Sequence, residues 1–499
     1  MASSEIKNVV ILGGGTAGWL SAALLSKVMS DIVKITVVDS TKIGAVGVGE
    51  ASIPPLVDFN RALGIDEREF MRKTNATIKL GIQFEGWGRA NNSYMHAFGQ
   101  IGKPFPFCDF YHFWLKSQQL GESSNLWDFS LNYQVAKANK FAPLAKIPNT
   151  SLAGVSYAYH FDANLYGEFL KSLSLSRGVV HIDAKVESVS LCPNTGYVTT
   201  LCLDDSQQVS GDLFIDCSGL NALLIDRALN VGYDDWSHWL AADSAYALPT
   251  ALSTDDIAPY TRSIAHAIGW QWQIPLQNRV GNGFVFSSRF TDDQAALTAL
   301  EANLQGEPLA KPKLIRFKTG MRRKQWHKNV FAIGLSSGFL EPLESTSIHL
   351  IQTSIVRLIK HFPKTGFDDV QIAASNASFT REMEQIRDFI ILHYKATTRS
   401  DSDFWRWCRQ MEIPSRLQNK LELFEQTGQL ARDEEDLFTE AAWQQVLIGQ
   451  GIQARKCHPL ADQLTDTQRQ ELFSSLKQIY QNIAHELPTH RAFLRSYLT

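Results

Sequence analysis

Apolar and polar positions alternate with two different periods along this 499-residue chain, and the switches between them mark most of its elements. Residues 7–12 form a near-continuous apolar run, the pattern of a parallel strand buried on both faces. Trp19, Leu20, Ala23, Leu24 and Leu25 follow at helical spacing, and residues 32–38 read as a second strand. Residues 76–87 are mostly apolar, with Lys79 in their middle, and 158–170 predict a strand end leading into a helix. Residues 179–189, 197–203 and 212–219 read as strands. In 269–275 the alternation predicts Trp270 and Trp272 on one face of a strand and Gln271 and Gln273 on the other, with 284–290 as a hairpin partner. A short strand at 330–333 enters a loop through Gly334, Ser336, Ser337, Gly338 and Pro342. Ile348, Ile351, Ile355 and Leu358 then predict a helix with Ser345 or Thr346 as its N-cap. After Phe362 the pattern is helical over 369–392, 416–426, 440–449 and 467–486.

Strands alternating with helices, followed by a helical tail, predict an α/β protein with a Rossmann-type βαβ start and a mostly helical C-terminal region. The length predicts two or three packed regions rather than one core. A net charge of −3 without basic blocks argues against nucleic acid, and no apolar run approaches a membrane span. The chain enters a strand almost at once, which predicts no signal peptide. Six cysteines without a C-x-x-C pair suggest neither a zinc site nor a disulfide framework, so no metal and a reducing cytoplasm are expected. Twelve tryptophans point to an aromatic-lined interior or pocket.

The first candidate chemistry is Gly13-Gly14-Gly15-Thr16-Ala17-Gly18 between the first strand and its helix, with Asp39 closing the second strand. Strand, G-x-G-x-x-G, helix and a later acid form the dinucleotide fingerprint. The glycines would let the backbone reach a pyrophosphate at the helix N-terminus, and Asp39 would take a ribose hydroxyl. Residues 43–55 alternate glycine and valine with few charges, which favours a buried loop. Lys79 either snorkels to the surface, as a lysine in an apolar run usually does, or places an amine in a closed cavity. Glu344 sits beside a predicted helix N-terminus, a place that attracts anions. The aromatic cluster over 105–114 suits core and pocket equally.

Taken in order, these segments resemble the flavin-dependent tryptophan halogenase family over nearly the whole chain. The resemblance rests on G-G-G-T-A-G-W at 13–19, G-V-G-E-A at 47–51, K-L-G-I at 79–82, H-F-D-A at 160–163, D-L-F-I-D-C-S-G at 212–219, W-x-W-x-I-P at 270–275 and E-P-L-E-S-T at 341–346. It implies an FAD-binding, flavoprotein-monooxygenase-like core over 1–365, discontinuous around substrate-side segments at about 90–155 and 225–325, with 366–499 covering the substrate site. Cofactor contacts are implied at Gly13, Gly15, Thr16, Ala17, Gly18 and Asp39, at Val48, Gly49, Glu50 and Ala51, at Val186, and at Gly334, Leu335 and Ile348.

The chemistry implied is that FADH2 from a separate reductase reacts with O2 to a flavin hydroperoxide. Chloride or bromide attacks its distal oxygen, and the hypohalous acid passes through a tunnel to an aromatic substrate. Lys79 matches the family lysine that hydrogen-bonds this electrophile or becomes a haloamine. Glu344 matches the glutamate that orients it and takes the ring proton. Thr346 and Ser347 match the pair whose backbone N–H groups hold the halide. Trp270 and Trp272, with Ile274 and Pro275, would separate flavin from substrate, and His96, Phe98 and Trp443 would line the substrate pocket. A homodimer is typical of the family. One dinucleotide fingerprint alone, taken by FAD, fits reduction by a partner enzyme.

Two departures matter. Ser347 stands where family members often have glycine, which leaves the halide preference open. Residues 430–447 lack the Tyr-Tyr, Glu and Phe-Trp that hold the amino-acid part of tryptophan, and Trp443 reads as the one large aromatic near that position. A site without those polar partners predicts an indole or other electron-rich aromatic without a strict amino-acid requirement. The competing readings are a flavin-dependent aromatic hydroxylase, whose usual Gly-Asp is Gly334-Leu335 here, and a non-catalytic FAD-binding protein, which would not need Lys79 or Glu344.

Overall fold

The computed structural model describes residues 5–42 and 49–499, so Val48 lies outside the described residues. The chain divides into two units. One comprises Met1–Ala76, Phe161–Ala241 and Arg316–Glu384; the other comprises Thr77–His160, Ala242–Ile315 and Gln385–Thr499.

The first unit is built on a six-stranded sheet in the order Trp326–His327, Val330–Ala332, Leu213–Asp216, Asn8–Leu12, Lys34–Asp39, Val180–Asp183. All neighbours are parallel except the Trp326–His327 edge. Val9, Ile11, Val37, Phe214 and Phe331 are fully buried, which is why these strands read as apolar runs rather than alternations. The helix Thr16–Met29 packs on the helices Ala163–Ser176 and Ser347–Lys360. A three-stranded antiparallel sheet, Val186–Leu191, Val198–Leu203 and Gln208–Ser210, shares a hydrophobic cluster with Val10, Leu12 and Phe214. The predicted strand at 179–189 is thus two strands. Ala184 N–H turns to Asp39 O and Lys185 N–H to the Asp204 carboxylate, interruptions that no apolar period records.

The second unit carries a seven-stranded sheet in the order Lys313–Arg316, Ser244–Ala247, Val280–Phe286, Gly269–Pro275, Thr261–His266, Gly81–Glu85, Ser93–Ala97. Ser244–Ala247, Val280–Phe286, Gly269–Pro275 and Thr261–His266 pair antiparallel in turn, as Gly81–Glu85 does with Ser93–Ala97, and Thr261–His266 runs parallel to Gly81–Glu85. The apolar run at 76–87 splits here. Thr77–Lys79 pairs antiparallel with Ala158–His160, while Gly81–Glu85 joins the large sheet. Leu80 is the hinge: its N–H goes to Pro259 O and its carbonyl takes Phe98 N–H. Gly81 then passes so close to the edge strand that a Cβ would lie 2.4 Å from His96 O.

The edge at Ser93–Ala97 is closed by the helix Glu440–Gly449. Gln445 completes the ladder with its side-chain amide, accepting from Ala97 N–H at 3.0 Å and donating to Ala97 O at 3.1 Å. Two short helices that the pattern missed, Asp403–Gln410 and His490–Leu498, belong to this unit. The hairpin partner of Gly269–Pro275 is Val280–Phe286, a few residues before the predicted position. Both faces of Gly269–Pro275 are buried, polar face included. Arg262 covers the glutamines, donating to Gln273 Oε1 at 2.7 Å while forking onto Glu85. Among the described residues no helix is long and apolar enough to cross a membrane, and none of their His, Cys, Asp or Glu side chains cluster to hold a metal ion.

Candidate active site

In the first unit the carboxyl ends of four parallel strands deliver the expected cofactor residues to one edge of the sheet: Gly13 after Leu12, Asp39 at the end of its own strand, Cys217 after Asp216, and Gly334 after Ala332. The glycines serve different purposes. A Cβ on Gly13, whose φ is +112°, would lie 2.2 Å from Cys217 O, and one on Gly18 would lie 1.8 Å from Gly13 O. A Cβ on Gly15 would meet nothing within 4 Å. Gly15 is also the N-cap of Thr16–Met29, with no side chain capping that end. The open space therefore faces a helix N-terminus, where a pyrophosphate fits. Thr16 ties the helix to the H-F-D-A segment through Ala163 O at 3.2 Å, and Ala17 lies against Gly334, where a Cβ would approach to 2.9 Å.

Asp39 is not held by the loop alone. His181, which belongs to no motif, bonds its carboxylate at 2.5 Å, and a Cβ on Gly14 would strike that same carboxylate. Asp216 explains D-C-S-G: its two oxygens accept from Ser218 N–H and Oγ and from Leu224 and Ile225 N–H. Val186 packs into the neighbouring hydrophobic cluster. Glu50 lies in the strand Gly49–Ala51 with Ala51, and desolvation pushes its carboxyl up to about 7.

The E-P-L-E-S-T segment follows in the same unit. Pro342–Glu344 is one 3-10 turn, and Glu344 is 1% exposed. Ser345 takes the left-handed φ of +58°, strained for a non-glycine, and reverses the chain between Glu344 and Thr346. Thr346 occupies the N-cap of Ser347–Lys360 but its side chain does not cap the helix. Ile348 is buried and Leu335 half-buried on the turn Gly334–Ser336.

In the second unit Lys79 is 0% exposed, which overturns the snorkelling alternative. Its Nζ lies over the Phe98 ring, 5.3 Å from the centroid. His96, two residues before Phe98 and on the same face of the chain, meets Phe389 at 5.8 Å and Phe438 at 6.2 Å. Phe389 stacks on Phe438 at 3.9 Å and meets Trp443 edge-on at 4.8 Å. Trp443 is thus not the only large aromatic there. Phe438 lies five residues before it, and Phe389 arrives from a helix whose period hid it.

Beyond Trp443 a cavity of about 10 Å³ is lined by Asp388, Arg416, Lys420, Asp436 and Phe438. That is room for about one water. Lys420 lies 4.4 Å from the Trp443 ring and pairs with Asp436 at 3.5 Å, as Arg416 does at 3.4 Å, while Arg387 bonds Asp388. Burial lowers the Lys420 pKa although Asp436 opposes it.

Trp270 and Trp272 stand 6.1 Å apart, with Trp87 6.0 Å from Trp270. Trp272 lies flat across Gly283 of the paired strand: a Cβ there would be 1.9 Å from Cζ2. Ile274 is buried, and Pro275 ends the strand with its carbonyl accepting from Thr77 Oγ1 at 2.6 Å.

Known proteins with this architecture share a chemistry. A family model described as tryptophan halogenase matches residues 8–466. The solved structure of Xcc4156, a flavin-dependent halogenase from Xanthomonas campestris, aligns with a TM-score of 0.95 at 46% identity, covering 99% of both chains. BrvH, a flavin-dependent halogenase from Brevundimonas sp. BAL3, aligns with a TM-score of 0.95 at 41% identity, again over 99% of both. Tryptophan 6-halogenase SttH of Streptomyces toxytricini is 35% identical over 437 residues, 83% of each chain.

Proposed function

Because the chain belongs to the tryptophan halogenase family, and so to the flavin-dependent enzymes, we propose that it halogenates an electron-rich, indole-like aromatic without requiring the amino-acid part of tryptophan. When bound, FADH2 from a separate reductase supplies the electrons with which O2 and chloride or bromide become hypohalous acid. The chain's own part is positional. Gly15 and the N-terminus of Thr16–Met29 cradle the pyrophosphate, and Thr346 and Ser347 present backbone N–H groups to the halide. Lys79 holds the electrophile by its amine, and Glu344 takes the proton released from the ring. Trp270 and Trp272 wall off the substrate. The six cysteines form no disulfide, in keeping with a cytoplasmic enzyme.

The observation that carries the lysine's role is its complete burial beside an aromatic ring, in a wall continued by His96, Phe389, Phe438 and Trp443. The polar corner beside Trp443 supports a substrate without a zwitterionic tail, since its charges are paired with one another around space for one water. The test is mass spectrometry of a mixed panel of aromatics incubated with the enzyme, a flavin reductase, FAD and either halide. Indole is expected to be halogenated faster than free tryptophan; the reverse by a wide margin would sink the substrate assignment. Lys79→Ala is expected to lose halogenation and keep FAD binding.

A further inference from the structure

H-F-D-A contributes His160, a fully buried imidazole to which the halogenation chemistry assigns no task. Its hydrogen bonds, with its burial and the Lys79 amine nearby, fix its protonation state. Thr77 Oγ1 donates its single proton to Pro275 O at 2.6 Å, so His160 Nδ1, 3.1 Å from that oxygen, must be the donor. Nε2 is then bare and accepts from Thr261 Oγ1 at 2.9 Å. His490 repeats the arrangement from the other end of the chain. Ile78 N–H donates to its Nε2 at 3.2 Å, and its Nδ1–H donates to Ile257 O at 2.8 Å. Thr77, Ile78 and Lys79 are one strand. That strand is therefore tied on one side to the end of the W-x-W-x-I-P strand by Thr77 itself and to Thr261 through His160, and on the other to the helix His490–Leu498.

We propose that His160 and His490 are positioning residues that hold the Lys79 strand as neutral Nδ1–H tautomers, and that a proton added to His490 releases Ile78 and with it the strand. This rests on Lys79 being the reacting amine. An imidazolium cannot accept at Nε2, so protonation of His490 breaks the bond from Ile78 N–H, whereas the Thr261 hydroxyl can turn to accept from a protonated His160. The charges facing the two rings are cations: Lys79 and the opposite histidine face His160, and Arg491 faces His490. Each added proton would be repelled by these groups as well as by burial, and both rings titrate well below the ordinary histidine range, His490 at about 4.

The test uses the full-length FAD-loaded enzyme. Among the thirteen histidines, long-range 1H–15N spectra assigned by His160→Asn and His490→Asn should show these two rings in the Nδ1–H form at pH 7, unchanged at pH 6. His490→Gln keeps an acceptor for Ile78, whereas His490→Asn keeps only the donor to Ile257. His490→Asn is expected to lose about tenfold in kcat for halogenation, the worth of roughly one well-placed hydrogen bond. It should oxidise FADH2 at the normal rate, with more hypohalous acid caught by a trap in solution. His490→Gln should recover most of the coupling. If both variants bind FAD and halogenate like the parent, or if the parent's two rings carry their protons on Nε2, the proposal is overturned. Should one variant not fold, the parent ring that the other assigns decides by its tautomer. Lys79→Ala measured in parallel separates the causes: its retaining activity would refute the lysine's role, whereas its loss beside unaffected histidine variants would refute only the positioning.

Discussion

The Gly13–Gly18 loop and the surroundings of Lys79 are both places where atoms are held at close contact, yet they are assembled in opposite ways. The loop is made mostly by neighbours: three glycines between one strand and one helix, and the first turn of that helix, with Asp39 and Cys217 pressed against them. The lysine strand is made by strangers: Thr261, Pro275, Ile257 and His490 converge on it, the last 412 residues from its Ile78 partner. The loop leaves a spelling in the sequence because Gly18 answers to Gly13 O five residues away and Gly15 caps the helix that follows it, even though Gly13 and Gly14 answer to Cys217 and Asp39 on other strands. The partners of the lysine strand leave none, because a histidine that will accept a distant N–H looks like any other.

The two regions should respond differently to substitution. The largest effect is expected at Gly18→Ala, whose Cβ would lie 1.8 Å from Gly13 O: FAD binding lost by more than about 100-fold, and the apo-protein destabilised, read by flavin fluorescence titration and thermal melting. Gly15→Ala should instead leave the apo melting temperature within about 2 °C and weaken FAD by roughly tenfold, since only the ligand needs that space. Equal damage to the apo-protein from both would mean that the space beside Gly15 is not kept for the ligand.

Next comes Gly283→Ala. Its Cβ would overlap three atoms of the Trp272 ring, so a loss of about 3 kcal/mol in urea unfolding is expected, partly restored by Trp272→Leu in the same chain. No restoration would mean the strain lies elsewhere. The third effect is one of pH. Above about 6.5 His160 and His490 are neutral in both folded and unfolded chains, so they contribute nothing to the pH dependence. As pH falls through that value the unfolded rings take up protons that the folded ones refuse, and stability drops by about 1.4 kcal/mol per pH unit for each. For His490 the fall should level off near pH 4. Urea midpoints measured from pH 7 to 5 that stay flat would contradict this. The smallest effect is Thr489→Ala, which removes the side-chain cap from Ala492 N–H on the helix bearing His490: about 1 kcal/mol, visible as a small shift in the melt.

How much was legible follows the same division. The parallel core could be read because Asn8–Leu12, Lys34–Asp39 and Leu213–Asp216 are apolar throughout, and the fingerprint because its glycines sit at fixed spacing. Lys79 could be found by resemblance, but its burial could not be inferred from the run around it, where a surface lysine was the better guess. The break at Leu80 carries no turn residue except Gly81, whose reason is the edge strand at His96 rather than a bend. Phe389 and Phe438 were hidden because one lies within a 27-residue helix and the other in a polar stretch, and only packing makes them neighbours. His181 on Asp39 is a cross-strand pair, visible only once the strands are paired.

The bond from Ile78 to His490 also sets a schedule. The ribosome makes the strand holding Lys79 early and its imidazole acceptor more than four hundred codons later. Until residue 490 has left the exit tunnel, that backbone donor has only water to bond. A cell thus makes the Gly13–Gly18 loop well before the amine is locked in place.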